Sequence, residues 1–322
     1  MPRRATSMCG KLSDMKFLCR RKWCSVFVIV LAACSDNPAA KNRDSAVIDR
    51  RLSLSVAGST TRTGWDSAAG PVMVLATSRF STEVMIVLPE LTDSMLVVTS
   101  HFELHGLANI PVDLFGSKGL VGSSTLQLSS QRSDSAGCVS WPGGQVLAPM
   151  PVGWRIALEK GRAIGLPLDS MEGMTGVDSA RFATDVVNIA LLLTGGADPV
   201  FSGIPFFVRK GYRLITPSVS VIIAEAVRRI NEEANPREEH LLLLAERSTD
   251  NAEYLVAFHV RSAGAEESLE TSEILSALRL TKTNRLAIVV TFDREDGGKV
   301  GLLERLGPSD WRVVWKSAYS GC

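Results

Sequence analysis

Residues Ser218–Pro236 read SVSVIIAEAVRRINEEANP, and the conformation given to them decides the fold. Ile223, Val227, Ile230 and Ala234 recur at three- and four-residue spacing, which is one stripe of an α-helix. Ser218 suits an N-cap, where a hydroxyl accepts from a free backbone N–H of the first turn. Glu225–Arg229, Arg228–Glu232 and Arg229–Glu233 fall at i,i+4, where each opposite-charge pair adds about 0.2–0.5 kcal/mol. Asn235-Pro236 stops the run, because a residue before proline is pushed out of the helical region. The spacing predicts a helix over Val219–Ala234.

Upstream, DSARFATDVVNIALLLT (Asp178–Thr194) repeats the pattern with Phe182, Val186, Ile189, Ala190 and Leu193. Asp178 or Ser179 caps its start, and Gly195-Gly196 ends it in left-handed geometry. Between the two helices, IPFFVRKGYRLIT (204–216) reads as a hairpin. Downstream the chain reads as an antiparallel meander. His240–Arg247 and Tyr254–Arg261 are strands, Glu266–Leu280 is ambiguous, and Arg285–Phe292 is apolar enough for a central strand. DREDGGK (293–299) carries the Asp-Gly and Gly-Gly signals of a tight turn. Gly301–Leu306 follows, and Trp311–Ser317 closes the sheet, with Trp311, Val313 and Trp315 on one face by strand alternation.

The first part of the chain is strand-like throughout. Leu52, Leu54 and Val56 alternate with serines. Val72–Leu88 reads as two strands around TSRFSTE, with a helix as the alternative, Met95–Leu107 and Thr125–Ser129 add others, and 129–145 is a loop dense in turn formers. Trp154–Glu159 and Ala163–Leu168 flank Lys160-Gly161-Arg162 as a hairpin. Together these predict an α+β fold. It is an antiparallel β-rich chain with two main helices, at about 178–194 and 219–234, and a C-terminal antiparallel meander. Residues 47–170 form the β-rich region and 171–322 the α+β region, whether as two domains or one continuous domain. A helix before a curved antiparallel sheet is also the outline of cone-shaped ligand-binding folds, a likeness that assigns no function.

The 322 residues carry a formal charge of +1, with 45% hydrophobic and 21% charged residues, a normal globular composition. The charge is uneven. Residues 1–33 hold seven basic residues and one acid, Asp14, which leaves 28 basic against 33 acidic residues beyond them, a net of −5. A mildly acidic body has no electrostatic footprint for nucleic acid.

Arg20-Arg21-Lys22 precedes an apolar run, Trp23–Ala33, which ends on Cys34 and turns polar at once. A basic segment, a short apolar segment and small residues are the layout of a secretory signal, and the run is too short to span a bilayer. Leu31-Ala32-Ala33-Cys34 resembles the lipobox of bacterial lipoproteins, a likeness confined to residues 1–36. It implies removal of residues 1–33, a diacylglyceryl group on Cys34, and SDNPAAKNRDSA (35–46) as the tether from lipid to body. Ser35 after the cysteine resembles the pattern that sends lipoproteins to the outer membrane, so the expected place is that membrane, facing the periplasm. Multiple acyl chains hold a protein on a bilayer where one is marginal.

Of the six cysteines, Cys9, Cys19 and Cys24 lie in the segment to be removed, and Cys34 would be acylated. Cys138 and Cys322 remain, and an oxidising compartment gives them one possible pairing. Their disulfide would close a loop of about 184 residues and add roughly 5 kcal/mol in the chain-entropy model.

SHFELHGL (100–107) is the compact cluster of metal-type ligands. In a strand His101, Glu103 and His105 point the same way, as part of a two-histidine, one-carboxylate site. The same alternation with Phe102 and Leu104 is also the solvated face of an amphipathic strand. Asp169 and Glu172 are a carboxylate pair only if folding adds a partner, and Trp311 with Trp315 could floor a pocket or pack a core. Nucleophile, phosphate-cradling and dinucleotide signatures do not occur in the body, and no cofactor is called for. The expected function is a lipid-anchored envelope module that binds or scaffolds. The alternative is a lipid-anchored hydrolase, metal-assisted through His101, Glu103 and His105.

Overall fold

Six short strands close on themselves first, in a computed structural model that describes residues 73–77, 82–88, 90, 107, 109–128, 141–147, 152–231, 236–248 and 253–321. All of these belong to one unit, Ala57–Cys322. Strands β1 (Met73–Ala76), β2 (Glu83–Ile86), β3 (Ile110–Gly116), β4 (Gly119–Leu128), β5 (Gly143–Val146) and β6 (Ile156–Glu159) form a closed antiparallel barrel in the order β1-β2-β5-β4-β3-β6. Alternation sorts their side chains. Val74, Val112, Leu114 and Ala157 fill the interior around a fully buried Trp154. Met73, Leu75, Phe115, Ile156 and Leu158 face outward, yet they too are buried.

What covers the barrel's outer wall is a sheet. Strands β7 (Ala163–Leu166), β13 (Thr271–Leu280), β14 (Leu286–Arg294), β15 (Gly297–Gly307) and β16 (Asp310–Lys316) run in the order β16-β15-β14-β13-β7, with β17 (Ser320–Gly321) beside β15. Leu275, Leu278, Leu280, Ala287, Val289, Val300 and Leu302 press on the barrel. The Arg155 guanidinium donates to both oxygens of Glu273, at 3.1 and 3.0 Å, and fixes the barrel against this sheet. At the crossing of β4 and β7 the backbones nearly touch. A Cβ on Gly165 would stand 2.2 Å from the Leu120 nitrogen, so only glycine fits.

The opposite face of that sheet is apolar as well, with Ile274, Ala277, Ile288, Val290, Phe292 and Leu303. It packs on a second sheet of order β12-β11-β10-β9-β8, made of β8 (Asp169–Ser170), β9 (Phe207–Ile215), β10 (Val219–Ile230), β11 (Arg237–Ser248) and β12 (Leu255–Ala265). The far side of the second sheet carries one helix, α1 (Gly176–Leu192), seated through Phe182, Val186, Ile189 and Ala190 on Ile222, Ala224, Ala226, Leu241 and Leu243. Thr175 caps α1, accepting from the Asp178 N–H at 3.2 Å and donating to its carboxylate at 2.8 Å. The Phe182 ring packs on Gly211 of β9, where a Cβ would meet it at 2.3 Å. The layers run barrel, sheet, sheet, helix.

The α+β expectation with two main helices is therefore wrong. The described residues are largely all-β, with one α-helix, and 219–230 is strand β10 in the middle of the second sheet. The physical reason lies in its burial. Val221 and Ile223 face the first sheet while Ile222, Ala224 and Ala226 face α1, so both sides are apolar and no alternation shows in the sequence. The charges expected to pair along a helix pair across strands instead. Register sets Arg228 opposite Glu239 and Arg229 opposite Glu238.

Smaller corrections follow from the same topology. Residues 207–215 are a single strand, not a hairpin. The turn at Lys160–Arg162 forms no hairpin ladder, because β6 goes to the barrel and β7 to β13. Trp311, Val313 and Trp315 do not share one face. The β15–β16 ladder skips Val314, so Trp311 and Val313 turn between the sheets while Val314 and Trp315 turn toward the barrel. The Glu295-Asp296 turn of DREDGGK does join β14 to β15, with Arg294 opposite Gly297.

Candidate functional site

Among the described residues, strand β11 carries three groups of buried ionisable side chains, and a cleft opens at the edge of the layers. The first group lies between the sheets. Glu225 of β10 and Glu238 and His240 of β11 are all buried. His240 Nδ1 stands 2.9 Å from Glu225 Oε1, and Nε2 stands 2.6 Å from Glu238 Oε2. Arg209 pairs with the second oxygen of Glu225 at 2.9 Å, and Arg229 pairs with Glu238. Burial opposes charge on the imidazole, but the two carboxylates outweigh it and raise the His240 pKa. Burial likewise acts to raise the Glu238 pKa, and its bonds to His240 and Arg229 reverse that and lower it.

These directions set a pH window. The folded chain holds the His240 proton more tightly than the unfolded chain, so its contribution is complete below the ordinary value of 6.5 and is lost as pH rises through the folded value. Glu238 contributes fully above its ordinary value of 4.5 and loses that contribution as pH falls. Urea unfolding from pH 5 to 9 should show stability falling on the alkaline side by up to about 1.4 kcal/mol per pH unit. His240→Gln should flatten that limb; an unchanged limb would show that the imidazole is neutral when folded.

The second group lies on the helix side. Glu239 is fully buried and sits between two arginines. Arg228 Nε donates to its Oε2, and Arg261 Nη1 lies 2.7 Å from its Oε1. Arg228 also donates to the Phe201 carbonyl at 2.8 Å and stacks on Phe206 with its guanidinium 4.7 Å from the ring centre. Arg261 donates to the Leu193 carbonyl at the end of α1. The triad carries one negative charge between two positive ones, with backbone carbonyls accepting from both arginines, and it ties β10, β11 and β12 to the helix.

Glu246 is the third. It accepts from Arg305 at 2.8 and 2.9 Å, from Trp311 Nε1 at 3.0 Å, and from the Ser309 N–H. Burial acts to raise its pKa, but these donors overcome it and hold the carboxyl low. The effect is a latch from β11 to the β15–β16 hairpin.

None of these groups reaches the cleft. The cleft lies where edge strands β12 and β16 run side by side without a ladder between them. There the inter-sheet core meets solvent in a cavity of about 480 Å³, within the usual range for small-molecule sites of roughly 300–1,000 Å³. Phe258 and Val260 of β12, Phe292 of β14 and Val313 of β16 give it apolar walls. Arg294, Lys299 and Lys316 are its cations and Glu270 its carboxylate. Arg294 pairs with Glu270 at 3.6 Å, and Lys299 donates to Glu90 at 2.8 Å. Lys316 has its ammonium 5.9 Å from the centre of the Phe292 ring.

The residues singled out from the sequence fare differently. Cys34, Cys138, Cys322, His101, Glu103 and His105 lie outside the described residues. Among the described residues no group of three or more His, Cys, Asp or Glu side chains is arranged to hold a metal ion. Asp169 is exposed and pairs with Arg213 at 3.7 Å, and exposed Glu172 sits in the short turn after β8, so no catalytic pair forms there. Trp311 is core, and its neighbours Val313 and Lys316 are the residues of that strand that line the cleft. Sequence reading missed Phe258, Phe292 and Lys316, which are far apart in the chain. It also missed the buried run Glu238-Glu239-His240, whose signal was a string of ionisable residues, Arg237–His240, opening an apolar strand. No protein-family model, no curated protein and no solved structure matches this chain.

Proposed function

We propose that the chain is a lipid-anchored protein of the bacterial cell envelope, held at the outer membrane and facing the periplasm, whose β-rich body binds a ligand rather than transforming one. The observation that carries the binding reading is the cleft at the β12–β16 edge, where apolar core side chains meet solvent beside basic ones. The buried ionisable groups support it by their surroundings. His240, Glu225, Glu238, Glu239 and Glu246 are each held by oppositely charged or hydrogen-bonding neighbours inside the layers, away from the cleft. That is the arrangement of structural ties rather than of a catalytic group aimed at a substrate.

The anchor rests on Leu31-Ala32-Ala33-Cys34 and the polar tether after it. The stretch 35–46, if extended, would reach roughly 40 Å, at about 3.3–3.6 Å per residue. Growth of a bacterial host with radiolabelled palmitate tests the anchor. Label should appear on the wild-type chain and vanish with Cys34→Ala, which should also leave the membrane fraction. Label that survives Cys34→Ala, or a chain that never acquires label, would remove the anchor from the proposal.

A further inference from the structure

We propose that the β12–β16 cleft takes a single-chain amphiphile with an anionic head, its chain against Phe258, Val260, Phe292 and Val313 and its head at Lys316. The proposal rests on the binding reading above and names its ligand class. Size argues for one chain, since a cavity of about 480 Å³ is at the small end for drug-sized ligands. The walls argue for an apolar body, because Phe258, Phe292 and Val313 also belong to the core between the sheets, so the cleft continues that core outward. Charge argues for the head. Arg294 is engaged by Glu270 and Lys299 by Glu90. Lys316, exposed at the end of β16, has an aromatic ring rather than a carboxylate beside it. Among the described residues, Lys316 is the cation of the cleft without a carboxylate partner, and one such cation at the mouth of an apolar cleft is the complement of one anionic head.

Retention of radiolabelled dodecanoate by the full chain, immobilised in a non-ionic detergent and corrected for protein-free resin, tests this. Dodecanoate and dodecyl phosphate, the latter standing for a lipid headgroup, should each displace the label at least ten-fold more effectively than dodecanol. Dodecyltrimethylammonium should displace least. Lys316→Glu and Lys316→Met should each lower retention ten-fold or more, and Val260→Trp, which fills the cleft, should abolish it, with thermal midpoints near wild type as the check on folding. Equal displacement by all four amphiphiles would overturn the anionic head while leaving the cleft as a binding site. No retention above the blank, or retention unaffected by Lys316 and Val260 substitutions in folded protein, would overturn the site itself.

Discussion

Glu239→Ala should cost the protein about 3–5 kcal/mol of unfolding free energy, the typical loss when one partner of a buried ion pair is removed. Glu239 is fully buried, and its two partners Arg228 and Arg261 are nearly so, with side chains 9% and 8% exposed. Without the carboxylate, two guanidiniums remain in an apolar layer, Arg228 against the Phe201 carbonyl and the Phe206 ring and Arg261 against the Leu193 carbonyl. The loss should not appear if all three are replaced together. Arg228→Met with Glu239→Leu and Arg261→Met removes every charge at once, and such apolar exchanges are often neutral or stabilising. Chemical denaturation of both variants decides it. A single variant as stable as wild type would mean that the arginines reach water, and that the triad is not a buried tie.

Trp154→Ala should cost a comparable amount, about 3–5 kcal/mol, by opening a cavity inside the barrel. Trp154 is fully buried among Val112, Leu114 and Ala157, and a small barrel has no room to collapse around the hole. Its indole Nε1 has no hydrogen-bond partner among the described residues. Trp154→Phe should therefore cost far less, because it keeps most of the ring volume and discards a buried, unpaired N–H. Thermal unfolding distinguishes the two. Equal losses for alanine and phenylalanine would show that the nitrogen, not the volume, is what the barrel needs.

Legibility in the sequence followed the number of buried faces. Helix α1 could be read because it buries one stripe, Phe182, Val186, Ile189 and Ala190, and leaves Leu191 and Leu192 outside. Strand β10 could not, because it buries both faces, and a doubly buried strand fits helical and strand periods alike. Its charges deepened the error, since Arg228 and Arg229 have carboxylates both four residues on and eleven or fewer residues away across the strand turn. The later strands were easier to read where turn chemistry was explicit, as at Asp296-Gly297. The bulge at Val314 left no mark in the residue pattern, so the Trp311–Trp315 face was misjudged. The cleft was illegible for a different reason. Its walls come from β12, β14 and β16, and only the stacking of two sheets brings Phe258, Phe292 and Lys316 together. A linear reading had no access to that stacking.

Backbone hydrogen exchange of the full chain, measured with and without dodecanoate, tests most directly whether the parted edges of the two sheets form the binding site. Slower exchange with ligand is expected over Leu255–Ala265 and Asp310–Lys316, with no change in α1 or the barrel strands. Exchange unaltered by the ligand, or protection confined to the barrel or α1, would contradict it.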